Sequence, residues 1–422
     1  MLNRIINWLN SPAGFRAVVL LFGLTIAIFS IVPLVNLAAG RGAKDYELWF
    51  DTGRIVLSGG DIYPGGHQKF PFMYPPTAAE MLAPLSLLGR AGLIAVLVVL
   101  NSCAWWACSI WSVRLTTNER SRQHVLLYLL PNLVIVLYVW ASYLLGQPTL
   151  LLLALLLAGF LCLRARQSVG AGFLFALAAA IKAFPFLAII YLIYRRYWVT
   201  VTSMLVSLVL LLLVFPASAR GWTRARHDLA QWSEGMLFKY NEKGIAQRPA
   251  RGNTWKNQSI FGVANRLLRP VDVEATRPPD KPVYVNFTNL SFKTVNAIIA
   301  AAGLLLGLSY IAVLPKASQR RAETDAIEWA LLLLLMLMFT PLSFGYLYSF
   351  LLFPLAIVVQ TWLVRPKSPL SRWALGALAL LALTIPFPRA AQKYGNTFFA
   401  TLLLFIGLVL ELRRLKRARV AA

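Results

Sequence analysis

The chain has 422 residues, 59% of them hydrophobic and only 14% charged, with a mean hydropathy of +0.65. A soluble core cannot absorb so many long apolar runs, so the composition excludes a soluble enzyme and indicates a polytopic membrane protein. The 41 Lys and Arg against 16 Asp and Glu give a formal net charge of +25. These cations flank apolar runs, so positive-inside topology and anionic head groups account for them, and nucleic acid is not the implied partner.

Arg4 and Arg16 precede the first apolar run, residues 17–39. That run is longer than the apolar core of a signal peptide and reads as an uncleaved first span. Residues 45–76 follow as an acidic, aromatic loop. It places Asp45, Glu47, Asp51 and Asp61 among Tyr46, Trp49, Phe50, Tyr63, Phe70, Phe72 and Tyr74. A carboxylate can take a proton from a hydroxyl, and aromatic rings can stack on the apolar face of a pyranose. Trp and Tyr are also enriched at any membrane interface, so this composition has a structural reading too.

Residues 77–88 form a short amphipathic piece, and the second span covers 91–111. Arg114, Arg120 and Arg122 mark a cytoplasmic loop. Spans at 124–143 and 149–163 are joined by the turn Leu145-Gly146-Gln147-Pro148. Residues 169–194 are apolar for 26 positions, with Lys182 and Pro185 in the middle and basic residues at both ends. Two ordinary crossings need about 20 residues each, so two half-spans meeting at 181–185 fit, since Pro185 disfavours one straight helix. One long span with a snorkelling Lys182 is the alternative. A span at 198–215 leads into a long polar segment, 216–292, and further spans lie at 293–314, 328–340, 347–364, 373–385 and 397–412.

This reading predicts an all-α polytopic membrane protein of about ten full spans plus two half-spans, with both termini inside. It is one integral membrane domain over 1–422, with an outer loop at 40–90 and a long outer loop at 216–292. The Asp45 loop, the Gln147 turn, the Lys182 tip, the long loop and the turn at 340–344 then fall on one outer face of the cell membrane. None of the 16 acidic residues lies near the middle of a predicted span, which argues against an ion-coupled transporter.

The polar groups on that face are the candidate site. Lys182 either snorkels or meets an anionic lipid phosphate, since a buried ammonium is costly unpaired. Gln147 is either a plain turn residue or a donor to a substrate hydroxyl. In the long loop, Lys256-Asn257-Gln258-Ser259 leads to Arg266, whose planar fork can grip a phosphate. The three cysteines sit inside apolar runs and the three histidines show no ligand spacing, so no metal or other cofactor is expected.

Several segments resemble a known family in the expected order. These are Asp45-Tyr46-x-x-Trp49, Ser58-Gly59-Gly60-Asp61-Ile62-Tyr63, Tyr74-Pro75-Pro76, Gly146-Gln147, Ala180-Ile181-Lys182-x-x-Pro185, and Asn257-Gln258-Ser259-x-x-Gly262 with Arg266. Together they are similar to the polyprenol-phosphate-mannose-dependent mannosyltransferases of glycosyltransferase family 87, GT-C-fold enzymes related to the mycobacterial phosphatidylinositol-mannoside mannosyltransferases. The resemblance implies Asp45 as catalytic base and an inverting transfer of a hexose, mannose first, from a polyprenyl-phosphate sugar to a lipid or glycan acceptor. The candidate substrate contacts are Tyr74, Gln147, Lys182, Asn257, Arg266, Tyr346 and Asp51, with Asp51 also in reserve as base. The family's late outer turn carries a His, whereas this chain reads Ser343-Phe344-Gly345-Tyr346, leaving the Tyr346 hydroxyl in its place. A flippase for a lipid-linked sugar, which needs no base, is the rival reading.

Overall fold

Inside a bilayer each backbone N–H and C=O must be satisfied within the chain, so long apolar runs fold as helices. The computed structural model describes residues 2–42, 44–64, 72–246, 248–249, 251–275 and 281–420. Phe70 of the first loop lies outside them. In chain order the helices are α1 (Leu2–Asn10), α2 (Pro12–Ala38), α3 (Asp45–Leu57), α4 (Pro76–Ser86), α5 (Gly89–Thr117), α6 (Leu126–Leu145), α7 (Thr149–Arg164), α8 (Ser168–Ile181), α9 (Ala188–Tyr194), α10 (Trp198–Val209), α11 (Phe215–Arg220) and α12 (Trp222–Trp232). They continue as α13 (Ile260–Leu268), α14 (Phe292–Val313), α15 (Ala322–Phe339), α16 (Leu352–Val364), α17 (Pro369–Ala382), α18 (Pro388–Lys393) and α19 (Asn396–Val420). Among the described residues the only sheet is a small antiparallel one, β1 (Tyr240–Asn241), β2 (Gly244–Ile245) and β3 (Arg248–Pro249).

The architecture is that of an all-α membrane protein. Among the described residues, six helices are long and apolar enough to cross a bilayer: Pro12–Ala38, Gly89–Thr117, Leu126–Leu145, Trp198–Arg220, Phe292–Val313 and Gly345–Val364. Four further apolar helices are shorter than a full crossing: Thr149–Arg164, Ser168–Ile181, Phe184–Tyr194 and Pro369–Ala382. The chain divides into two compact units, one of Met1–Tyr63, Pro71–Ala230 and Ser349–Gln360, the other of Pro64–Phe70, Gln231–Tyr348 and Thr361–Ala422.

The stretch at 169–194 breaks at Lys182, where the half-span reading of the sequence puts its bend. Lys182 adopts an extended backbone, φ −151° and ψ 125°, directly after α8. A tight turn at Phe184–Leu187, with Pro185 near its start, then leads into α9. Pro216 has a comparable effect in the next span: the turn before it, Leu210–Val214, widens to i→i+5 spacing. Thr77 donates to the Leu211 carbonyl at 2.6 Å and so satisfies a backbone acceptor in that widened turn.

The first loop folds onto this frame as α3 and α4. Pro76 opens α4 at a position where a missing N–H costs nothing. Gly53 allows the two helices to meet, since a Cβ there would lie 2.7 Å from the Leu82 carbonyl oxygen.

A buried ionic cluster holds α4 to the start of α12. Arg220 lies between Glu80 at 3.9 Å and Asp228 at 2.7 Å, and it also donates to the Gly60 carbonyl. Arg224 pairs with Asp61 and reaches Asp228 at 3.6 Å. Burial pushes the Glu80 carboxyl up to about 7, against the pull of Arg220. Burial also raises Asp228, again opposed by its arginines. Both acids therefore bind protons more readily in the folded protein than in the unfolded chain. Their stabilising contribution is full below the ordinary carboxylate range, near 4.5 for Glu80, and is lost as pH rises toward 7. The unfolding midpoint of the solubilised protein should fall across that window, and Glu80→Gln should flatten the fall; an unchanged slope in the variant would refute this account.

Candidate active site

Asp45 is the first residue of α3, where the unpaired N–H groups and the helix dipole favour a carboxylate. Lys44 before it has φ 52°, an uncommon backbone for a non-glycine residue and a sharp entry into the helix. The Asp45 side chain is half-buried and accepts a hydrogen bond from Gln147 Nε2 at 2.5 Å. The other end of that amide, Oε1, accepts from the Tyr74 hydroxyl at 2.6 Å. With the amide turned round, its oxygen would face the carboxylate, so the network fixes its orientation. Tyr74 is held in turn, since the Tyr63 hydroxyl donates to its carbonyl at 2.5 Å. The Lys182 ammonium lies over the Tyr74 ring, 5.2 Å from its centre.

The loop is pinned to the end of α6 by two more bonds. Tyr46 donates from its hydroxyl to the Tyr143 carbonyl at 2.9 Å, and Trp49 Nε1 donates to the Gly146 carbonyl at 2.7 Å. Gly146 closes α6 with φ 73°. The Tyr46 ring would lie 2.9 Å from a Cβ at position 146, so both the backbone and the space require glycine. Asn101 donates to the Gln147 carbonyl at 3.3 Å. Beside this line of polar groups is a cavity of about 140 Å³, walled by Trp49, Tyr74, Leu97, Gly146, Leu151 and Ile181. The first unit thus brings together Asp45, Gln147, Tyr74 and Lys182, four candidates separated by up to 137 residues in the sequence (182 − 45). Asp51 is not among them. It is exposed on α3, six residues or about 600° of helix rotation further on.

In the second unit Arg266 is fully buried. Its guanidinium donates to the carbonyls of Lys393 (3.1 Å), Thr254 (2.9 Å), Asn257 (2.5 Å) and Gln392 (3.2 Å). The side chain expected to grip a phosphate therefore spends its donors bracing the long loop. Asn257, also fully buried, donates to the carbonyls of Gly252 and Pro341 and accepts from the backbone N–H groups of Ser259 and Ser343. It ties the long loop to the turn at 340–344 and uses its whole amide to do so. Tyr346 is half-buried beside Phe344, with ring centres 6.1 Å apart. Among the described residues, no three His, Cys, Asp or Glu side chains gather to hold a metal ion.

Sequence reasoning missed the Arg220 cluster beside this site. One hint existed: Glu80 is a lone carboxylate in the short amphipathic piece 77–88, where only a buried partner makes it affordable.

The sequence model of glycosyltransferase family 87 matches residues 72–341, more than half of the chain. This protein belongs to glycosyltransferase family 87. It is therefore a membrane glycosyltransferase, and of the two sequence readings the enzyme stands and the flippase does not. Among curated proteins nothing matches the chain. The family match contains Tyr74, Gln147, Lys182, Asn257 and Arg266, whereas Asp45, Asp51 and Tyr346 lie outside its limits.

Removing the Arg266 brace should unfold the second unit rather than weaken substrate binding. A carbonyl left buried without a donor costs about 1–3 kcal/mol, so Arg266→Met should destabilise the enzyme by at least about 3 kcal/mol in thermal unfolding. Arg266→Lys should not rescue it, because a single ammonium cannot span four carbonyls. Wild-type stability with a raised KM for the donor would instead give Arg266 to the ligand.

Proposed function

We propose that this glycosyltransferase moves a hexose, mannose first, from a polyprenyl-phosphate sugar to a hydroxyl of a lipid or glycan acceptor, with inversion, on the outer face of the cell membrane. The observation that carries the proposal is the Asp45–Gln147–Tyr74–Lys182 line, which brings a half-buried carboxylate and an ammonium together around one tyrosine.

In this reading Asp45 accepts the proton of the acceptor hydroxyl as its oxygen attacks the anomeric carbon. The bond from that carbon to the phosphate oxygen breaks on the opposite face, and the polyprenyl phosphate departs with the electron pair. Lys182 stabilises the charge that develops on the leaving phosphate. Gln147 orients the base by hydrogen bonding to one carboxylate oxygen, and Tyr74 holds Gln147. Burial of Gln147 and Tyr74, at 3% and 8% exposure, supports a positioning role for both. The aromatic and aliphatic cavity beside them suits the apolar part of a lipid-linked substrate. Tyr346 offers a neutral hydroxyl donor where the family carries a histidine. Arg266 and Asn257 act at one remove, by shaping the long loop.

Membranes supplied with radiolabelled polyprenyl-phosphate-mannose should transfer the label with wild-type enzyme. General-base assistance is worth about 10²–10⁴-fold, so Asp45→Asn should lose at least the lower figure. Equal transfer by both would remove Asp45 from the chemistry. Gln147→Glu sets a second carboxylate against Asp45, and like charges disfavour ionisation. The acidic limb of its kcat/KM profile should move to higher pH; a limb in its wild-type place would remove Gln147 from contact with the base.

A further inference from the structure

We propose that the inner ends of α14 and α19 form a binding site for an anionic phospholipid, a site separate from the sugar-transfer machinery and independent of the reading given for it. A groove of about 540 Å³ lies between the last turns of α14 and the later turns of α19. Ala312, Val313 and Leu410 are among its apolar walls, and Arg413, Lys416 and Arg417 line it further along α19. Among the described residues no carboxylate lines it.

The charge is uncompensated for a definite reason. The acid on this part of α19 is Glu411, which is buried and committed elsewhere. It accepts from Arg414 at 2.7 and 3.0 Å and from Ser368 at 2.5 Å, and it pairs with Arg365 at 3.2 Å. Arg413 and Arg417 are exposed, and Lys416 donates to the Ala312 carbonyl at 3.3 Å, so it leans across the groove onto α14.

The surroundings decide what fills the space. Only Val295, Ile299, Tyr310 and Val313 of the 22 residues of α14 are buried, so this span faces lipid along most of its length. A gap beside such a helix is filled by acyl chains, because a void forfeits the contacts of everything that lines it. The three cations then select the head group. A phosphodiester with no balancing ammonium complements them, whereas a zwitterionic head group brings a cation of its own. By the positive-inside pattern this end lies in the cytoplasmic leaflet, where anionic lipid is enriched.

The test is native mass spectrometry of the full-length purified enzyme with phosphatidylglycerol and phosphatidylcholine at equal concentration. One phosphatidylglycerol should be retained in preference. Each cation near a membrane surface contributes about a factor of five, so R413A/R417A should weaken retention about 30-fold, while R413K/R417K should keep it. V313W fills the groove with the cations intact and should also lose the lipid. Equal retention of the two lipids, wild-type retention by R413A/R417A or by V313W, or displacement of the lipid by inorganic phosphate would each overturn the proposal. Sugar transfer by R413K/R417K should match wild type throughout, so a failure here is distinguishable from a failure of the mechanism above.

Discussion

A backbone that leaves helical geometry within or beside a bilayer must find new partners for its polar groups, and that constraint organises this enzyme. The breaks in its helices are where its buried polar side chains gather. Tyr46 and Trp49 answer carbonyls at the end of α6, and Thr77 answers one in the widened turn before Pro216. Asn257 and Arg266 answer six carbonyls in the long loop, the late turn and the 392–393 segment. Asn396, at the start of α19, does the same for the Leu380 carbonyl near the end of α17. The first task of these residues is to make non-helical backbone tolerable, and the reactive groups are the few left over.

That distinction explains what the sequence reveals and what it hides. Hydropathy period and flanking cations place most helices to within a few residues, because the bilayer imposes length and composition together. The break at Lys182 was legible from Pro185 and a charge in an apolar run. The grouping of Asp45 with Gln147 was legible only as two polar interruptions on one side, and their hydrogen bond was not. Arg266 and Asn257, read in the sequence as substrate contacts, hold backbone carbonyls in the structure, and a polar residue that serves the backbone looks, in sequence, the same as one that serves a ligand. Counting the donors each side chain has already spent separates them, and that count needs coordinates. The Arg220 cluster was hidden for a different reason. Glu80 and Asp228 are 148 residues apart (228 − 80) and no local pattern couples them.

The two sets of buried charge in the first unit differ in kind. Around Arg220, three carboxylates share two guanidinium groups, and burial works against ionisation of the two buried acids. Asp45 accepts from the Gln147 amide, which the Tyr74 hydroxyl holds in turn, and the Lys182 ammonium lies over the Tyr74 ring. A cluster of buried ions fixes geometry at a cost in desolvation, whereas an amide orients a carboxylate by hydrogen bonding. The first arrangement fastens the loop, and the second orients a single carboxylate.

The attachment of α3 to the end of α6 has one further consequence. α6 has 20 residues, about 30 Å of helix, which is the thickness of the hydrocarbon core. Tyr46 and Trp49 fix the first turn of α3 to the last turn of α6, with Gly146 leaving no slack between them. Asp45 therefore stands at a height set by a rigid strut and not by the reach of a loop. The strut works as a depth gauge: the length of α6 sets how far the Asp45 carboxylate stands from the opposite end of that span.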